Sequence, residues 1–155
     1  MIRDLGEDTM NQAAKEFTKS RRLAIVGVSR AEKKFSNSAY AELRNRGHKV
    51  FGVNPNMSEI HGEKCYIDLR SLRGEIDGAV VCVSPDKVET ILREAASIGL
   101  GNIWLQQGAE SRSAIKLGKD LGLNVVAGKC ILMYAEPVRG FHKFHRFLVG
   151  LSGRL

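Results

Sequence analysis

The stretch Leu23-Ala24-Ile25-Val26-Gly27-Val28-Ser29-Arg30-Ala31-Glu32-Lys33-Lys34-Phe35-Ser36-Asn37-Ser38-Ala39-Tyr40-Ala41-Glu42-Leu43-Arg44-Asn45-Arg46-Gly47-His48-Lys49-Val50-Phe51-Gly52-Val53-Asn54-Pro55-Asn56 decides the fold. An apolar run, Leu23 to Val28, enters a glycine turn at Gly27 and a basic loop. Ser36 or Asn37 can cap a helix carrying Ala39, Tyr40 and Leu43, and Gly47 closes it. A second apolar run, Lys49 to Val53, stops at Asn54-Pro55, because proline offers no N–H to a ladder. Strand, loop, helix, strand is the first βαβ unit of a nucleotide-binding sheet. Gly27 permits a sharp turn, and the loop leads to a helix N-terminus, which favours phosphate.

The same alternation continues outward. Asp8 or Thr9 can cap a first helix through about Lys19. Cys65-Tyr66-Ile67 reads as a short strand after a turn at His61-Gly62, and Asp68 to Leu72 as a turn of helix. Ala79 to Val83 is the most continuous apolar run, as expected of a parallel strand covered on both faces. Ser84-Pro85 ends it and opens a helix through Ile98. Asn102 to Leu105 and Asn124 to Ala127 are further strands, with a helix from Ser111 to Leu121 between them. The predicted architecture is α/β, a Rossmann-like doubly wound sheet of five or six mostly parallel strands with strand 1 central and helices on both faces. Residues 1–155 read as a single domain.

Such sheets bind ligands beyond the C-terminal ends of their strands. That edge collects Ser29 to Ser36, Asn54-Pro55, Ser84-Pro85, Gln106-Gln107-Gly108 and Gly128-Lys129-Cys130. A dinucleotide fingerprint needs three glycines and an acidic residue closing strand 2. Here the loop has one glycine, Gly27, and strand 2 closes in Asn54. No Walker loop is present. The basic loop of Arg30, Lys33 and Lys34 beside a neutral strand end suits a nucleotide with an additional phosphate.

These residues carry a resemblance. The pieces Ile25 to Arg30, Gly52 to Pro55, Val81 to Pro85, Ile103 to Gly108, and Val125-Val126 running to Cys130 occur in order at five strand ends. The chain resembles the stand-alone CoA-binding domain proteins, related to the CoA-binding domain of the succinyl-CoA synthetase alpha subunit. The resemblance spans roughly Leu23 to Met133. It implies a small non-catalytic module for coenzyme A or a short acyl-CoA. It assigns cofactor contacts to Ser29, Arg30, Asn54, Pro55, Ser84, Pro85, Gln106, Gln107 and Gly108. Gly27, Val28, Lys34 and Cys130 join them by position on the same edge. Ser84 departs from the apolar residue common before this proline. Two alternatives remain: an NADP-type domain or CoA-transfer subunit of a larger enzyme, and an interaction protein working through its tail.

Trp104 and Cys82 fall inside predicted strands and are expected in the core. Cys130, beyond the last strand, is placed to meet the thiol of CoA. No catalytic constellation stands at the ligand edge, and synthetase activity is not expected. The formal net charge of +7 fits an anionic partner as well as a basic surface. Three cysteines without a close pair argue against a disulfide framework and for a reducing, cytoplasmic setting. The tail, about residues 137–155, places Phe141, Phe144, Leu148 and Leu151 at helical spacing among basic residues. Docking on its own domain, on a protein partner or second copy, and on an anionic membrane surface all fit. His142 and His145 lack a third ligand nearby, so no metal is expected, and scattered basic residues without stacking partners argue against nucleic acid. No run is long enough to span a membrane.

Overall fold

The computed structural model describes residues 2–31 and 33–137. The sheet is built around β1 (Arg22–Val26), flanked by β2 (Lys49–Val53) on one side and β5 (Gly78–Val81) on the other, both parallel to it. Beyond β2 lie β4 (Glu63–Tyr66) and β3 (Glu59–Ile60); beyond β5 lie β6 (Asn102–Leu105) and β7 (Asn124–Ala127). The order is β3-β4-β2-β1-β5-β6-β7, parallel throughout except for the antiparallel β3–β4 pair. The chain winds outward from β1 in one direction, then crosses back to β5 and winds in the other. The crevice beyond the ends of β1 and β5 is therefore the topological switch point of the sheet.

The expected α/β architecture with strand 1 central is observed. Its seven strands exceed the five or six expected because the segment before β4 folds back as a hairpin. The hairpin turns at His61 and Gly62, both with positive φ (48° and 79°). A two-residue strand is too short to show alternation in sequence.

Apolar strand residues point alternately to two cores. Ala24, Val26, Val53, Ala79, Val81, Ile103 and Leu105 face one side, where α3 (Pro85–Ser97) and α4 (Arg112–Asp120) pack. Leu23, Ile25, Val80, Trp104 and Val126 face the other, covered by α1 (Ile2–Phe17), α2 (Phe35–Asn45) and α5 (Ile131–Tyr134). Burial on both faces explains why these strands read as unbroken apolar runs. Trp104 is fully buried, edge-on to Phe17 with ring centroids 5.2 Å apart.

Two helix starts differ from expectation. α1 runs through Asp8 and Thr9, both on its exposed side, and begins at Ile2. α2 begins at Phe35 with Lys34 as its N-cap, so Ser36 and Asn37 lie in its first turn. Asn37 turns its amide back onto the loop: Oδ1 accepts from Ser29 N–H at 2.9 Å, and Nδ2 donates to the Ser29 carbonyl at 2.6 Å. The tail beyond Pro137, with His142 and His145, lies outside the described residues. Among the described residues no helix is long and apolar enough to cross a membrane.

Candidate functional site

β1 ends at Val26, and Gly27 turns the chain with φ of 102°. A Cβ at Gly27 would collide with the Cys82 carbonyl oxygen and lie 2.9 Å from Val83 Cγ1. The glycine is thus required by the packing of the β1 turn against the end of β5. The protein's own backbone and the Val83 side chain fill the space that a side chain at Gly27 would take.

The turn is tied to the end of β2. Asn54 Nδ2 donates to the Val28 carbonyl at 2.7 Å, and its Oδ1 accepts from Asn56 N–H at 2.8 Å. Arg30 Nη2 donates to the Asn56 carbonyl at 2.7 Å. These bonds hold the first two ligand-edge loops as one wall.

Two chambers open beyond the strand ends. The larger, about 910 Å³, is lined by Gly27, Val28, Ser29, Asn54, Pro55, Asn56, Ile67 and Asp68, with Asp86, Lys87, Thr90 and Glu94 of α3 opposite. The smaller, about 380 Å³, is lined by Phe35, Ser36, Gln106, Gln107, Gly108, Ala109 and Cys130. Lys34, Cys82, Val83 and Ser84 line both. The cleft therefore runs from the β2 side of β1, past the β1–β5 crevice, to the ends of β6 and β7.

At the junction stands the first turn of α2. Ser36 is 3% exposed, yet its hydroxyl has no hydrogen-bond partner. Buried hydroxyls are normally paired, so this one implies a missing partner. Lys34 and the positive end of the α2 dipole give the same spot a positive character.

Of the sequence-predicted residues, Gly27, Val28, Ser29, Lys34, Asn54, Pro55 and Ser84 come together around the larger chamber, and Lys34, Ser84, Gln106, Gln107, Gly108 and Cys130 around the smaller. Arg30 and Pro85 line neither. Arg30 stands at the rim on Asn56, and Pro85 occupies the first turn of α3 behind its N-cap, Ser84.

Sequence reasoning placed Phe35 and Ser36 on the ligand edge without giving either a role, and missed Ile67, Cys82 and the first turns of α3. Cys82 looked like a strand residue because the apolar run continues through it. β5 stops at Val81, and Cys82 instead borders both chambers. Phe35 and Ile67 are 38% and 61% exposed, so two of the cleft's walls present large apolar surface to solvent. Ile67 follows β4 on the ligand edge, and reading every strand end would have found it.

The cleft is mixed in charge. Lys34 and Lys87 face Asp68, Asp86 and Glu94 in the larger chamber. Asp68 is held below the usual carboxylate range, first by the Ser71 hydroxyl, which donates to it at 2.8 Å, and by the Ser71 N–H. Asp86 is also held low, chiefly by the Ser84 side chain. Burial, and then the charge of neighbouring Cys130, push the Cys82 thiol up to about 12. Such carboxylates are weak bases, and such a thiol is a poor nucleophile at neutral pH.

Comparisons with known proteins fit this edge. YneT of Bacillus subtilis, an uncharacterized protein, is 26% identical over 113 residues, covering 73% of this chain and 84% of its own length. The ADP-forming acetate–CoA ligase of Methanocaldococcus jannaschii is 30% identical over 117 residues, 70% of this chain but only 17% of the ligase. A conserved hypothetical protein from Pyrococcus furiosus superposes with a TM-score of 0.70 at 34% identity, covering 73% of this chain and 97% of that one. Residues 21–136, from just before β1 to just past α5, match the CoA binding domain family, and the chain belongs to that family.

Proposed function

We propose that this protein binds coenzyme A or a short acyl-CoA as a small module without a chemical turnover of its own, acting as one domain in a reducing cytosol. The observation that carries the reading is the order of parts along the cleft. Coenzyme A consists of a bulky adenosine, a pyrophosphate and a slender pantetheine arm, in that order. The cleft offers a large chamber, then Lys34, which lines both, then a smaller chamber with Ser36 in its lining. The adenosine fits the large chamber, with Ile67 as an apolar wall, a carboxylate among Asp68, Asp86 and Glu94 as acceptor for the one free ribose hydroxyl, and Lys87 as the cation for the ribose phosphate. The pyrophosphate belongs at Lys34 and the first turn of α2. The arm runs on between Phe35, Gln106 and Gly108. Family membership supports the same ligand. The low carboxylates Asp68 and Asp86 favour binding over acid–base chemistry.

The test is native mass spectrometry of freshly purified protein, followed by calorimetric titration with CoA, NAD and NADP. CoA is expected to bind most tightly, by about tenfold or more over NADP, a difference of about 1.4 kcal/mol. Affinity is expected to fall with salt, as exposed charge pairing is screened. NADP binding tighter than CoA, or no CoA binding at millimolar ligand, overturns the reading. The acetate–CoA ligase relatives favour a second role, as a CoA-binding subunit completed by another chain. Copurification of a ligase-like partner with the native protein would select it.

A further inference from the structure

The smaller chamber is lined by a thiol that the fold holds from both sides. Trp104, fully buried in β6, donates Nε1–H to the Lys129 carbonyl at 3.0 Å. Gln106, 5% exposed just beyond the same strand, accepts the Ile131 N–H at Oε1 at 3.1 Å. The residue between these two anchors is Cys130, which lines the chamber and is partly exposed. The same chamber is lined by Ser36, whose buried hydroxyl lacks a partner. The anchored cysteine and the unpaired hydroxyl are independent observations, and the second points to a ligand inside.

We propose that the smaller chamber is a thiol-exchange site, in which Cys130 captures the terminal sulfur of a bound CoA as a mixed disulfide. The proposal rests on the CoA reading above, which sends the pantetheine arm into this chamber. The co-reactant is CoA disulfide. The Cys130 thiolate attacks one sulfur, the original S–S bond breaks, and a bond forms between Cys130 Sγ and the captured CoA. The second CoA leaves as a thiolate and takes up the proton that Cys130 released. One disulfide is consumed and one formed, so no further oxidant is required. A free thiol reverses the step. The other two thiols are unsuited to it: burial raises Cys65, which lies outside both chambers, and Cys82 is protonated at neutral pH.

The full chain, fully reduced, is mixed with CoA disulfide, quenched in acid and weighed without reductant. The expected product gains one CoA less two hydrogens, maps to the peptide containing Cys130, and reverts with dithiothreitol. Cys130→Ser is expected to form no adduct. Glutathione disulfide, which has no nucleotide to anchor it, is expected to react at least about tenfold more slowly with the wild-type protein, since bound CoA disulfide benefits from effective concentration. The rate ratio uses the wild-type protein alone, so it holds even if the variant misfolds. Adduct at Cys82 or Cys65, or equal rates with the two disulfides, overturns the proposal. So does a wild-type protein that binds reduced CoA in calorimetry yet forms no adduct. Absence of reduced CoA binding in that same calorimetry overturns the functional reading itself, and this proposal with it.

Discussion

The two edges of one sheet are treated in opposite ways. At the edge where the strands begin, polar groups are tied to one another. Asp77 accepts from the Arg21 and Arg22 N–H groups at 3.2 and 3.0 Å, and from the Arg22 guanidinium at 3.2 and 2.8 Å. Asn124 donates to Asn102 Oδ1 at 2.9 Å and to the Ala13 carbonyl at 3.0 Å. Buried Arg46 reaches the Leu132 and Ala135 carbonyls, each at 2.8 Å. At the edge where the strands end, the same strands open into two chambers with an unpaired hydroxyl at Ser36 and apolar faces at Phe35 and Ile67. The strand-start bonds secure the register of β1, β5 and β7; the strand ends open into a cleft whose loops are braced by Asn37 and Asn54 and whose lining includes Ser36, with its unpaired hydroxyl.

The largest expected effect breaks the open edge from within. Gly27→Val forces a β-branched side chain into positive φ and against the Cys82 carbonyl. We expect a loss of about 3 kcal/mol or more, read as a large drop in melting temperature. Loss of CoA binding would then follow from loss of fold. A variant that melts within a few degrees of the wild type would show that the β1 turn is not fixed by its contact with β5.

A paired substitution separates the edges more finely. Asp77→Ala leaves two backbone donors without their acceptor, so we expect about 1–2 kcal/mol of destabilisation with CoA affinity unchanged. The partly exposed ion pair with Arg22 adds little to that. Ser36→Ala is expected to do the reverse. Its hydroxyl has no protein partner to lose, so stability should hold within about 0.5 kcal/mol. Affinity for CoA should fall about tenfold, the value of one hydrogen bond to a charged group. Denaturant titration and calorimetry read the two quantities separately. If Asp77→Ala weakens CoA binding, or Ser36→Ala melts the protein without affecting it, the division between the edges fails.

The contrast also explains what sequence could show. Strands buried on both faces must be apolar at every position, so β1, β5, β6 and β7 were visible as runs, and their ends gave the ligand edge. Where a run overshoots its strand, sequence misleads: nothing marks Val81 rather than Val83 as the last strand residue, and Cys82, which packs against the core as expected, also borders both chambers. The basic loop failed differently. Arg30, Lys33 and Lys34 are equivalent in charge, and no periodicity governs a loop. The fold turns Lys34 into both chambers and spends Arg30 on the Asn56 carbonyl. Ser36 is a cap candidate in sequence, but α2 starts one residue before it, and its hydroxyl is left buried and unpaired.

The smallest expected effect belongs to the closed edge and depends on pH. His48, at the start of β2, is 7% exposed and bonds through Nε2 to the Glu136 carbonyl at 3.0 Å. That bond assigns the proton to Nε2 and leaves Nδ1 buried without a partner. Burial lowers its pKa, the Glu136 bond opposes this, the Arg21 and Arg46 charges add to the lowering, and the Ser20 backbone opposes it more weakly. The unfolded chain therefore takes up a proton near pH 6.5 while the folded protein still resists it. The contribution is complete above about pH 6.5 and declines as pH falls from there toward the folded value, by at most about 1.4 kcal/mol per pH unit. Asp77, held low chiefly by its hydrogen bond from Arg22, acts in the acid range below about pH 4, so the two windows do not overlap. Urea titrations at steps from pH 7.5 to 5 should show stability falling below about pH 6.5 in the wild type. The decline should be smaller in His48→Gln, which retains a donor for Glu136 but cannot titrate. His61 and the tail histidines are common to both proteins, so the difference in slope belongs to His48. Equal slopes would mean that the closed edge admits a charge at Nδ1 without cost, and that its burial does less to seal the strand starts than its geometry implies.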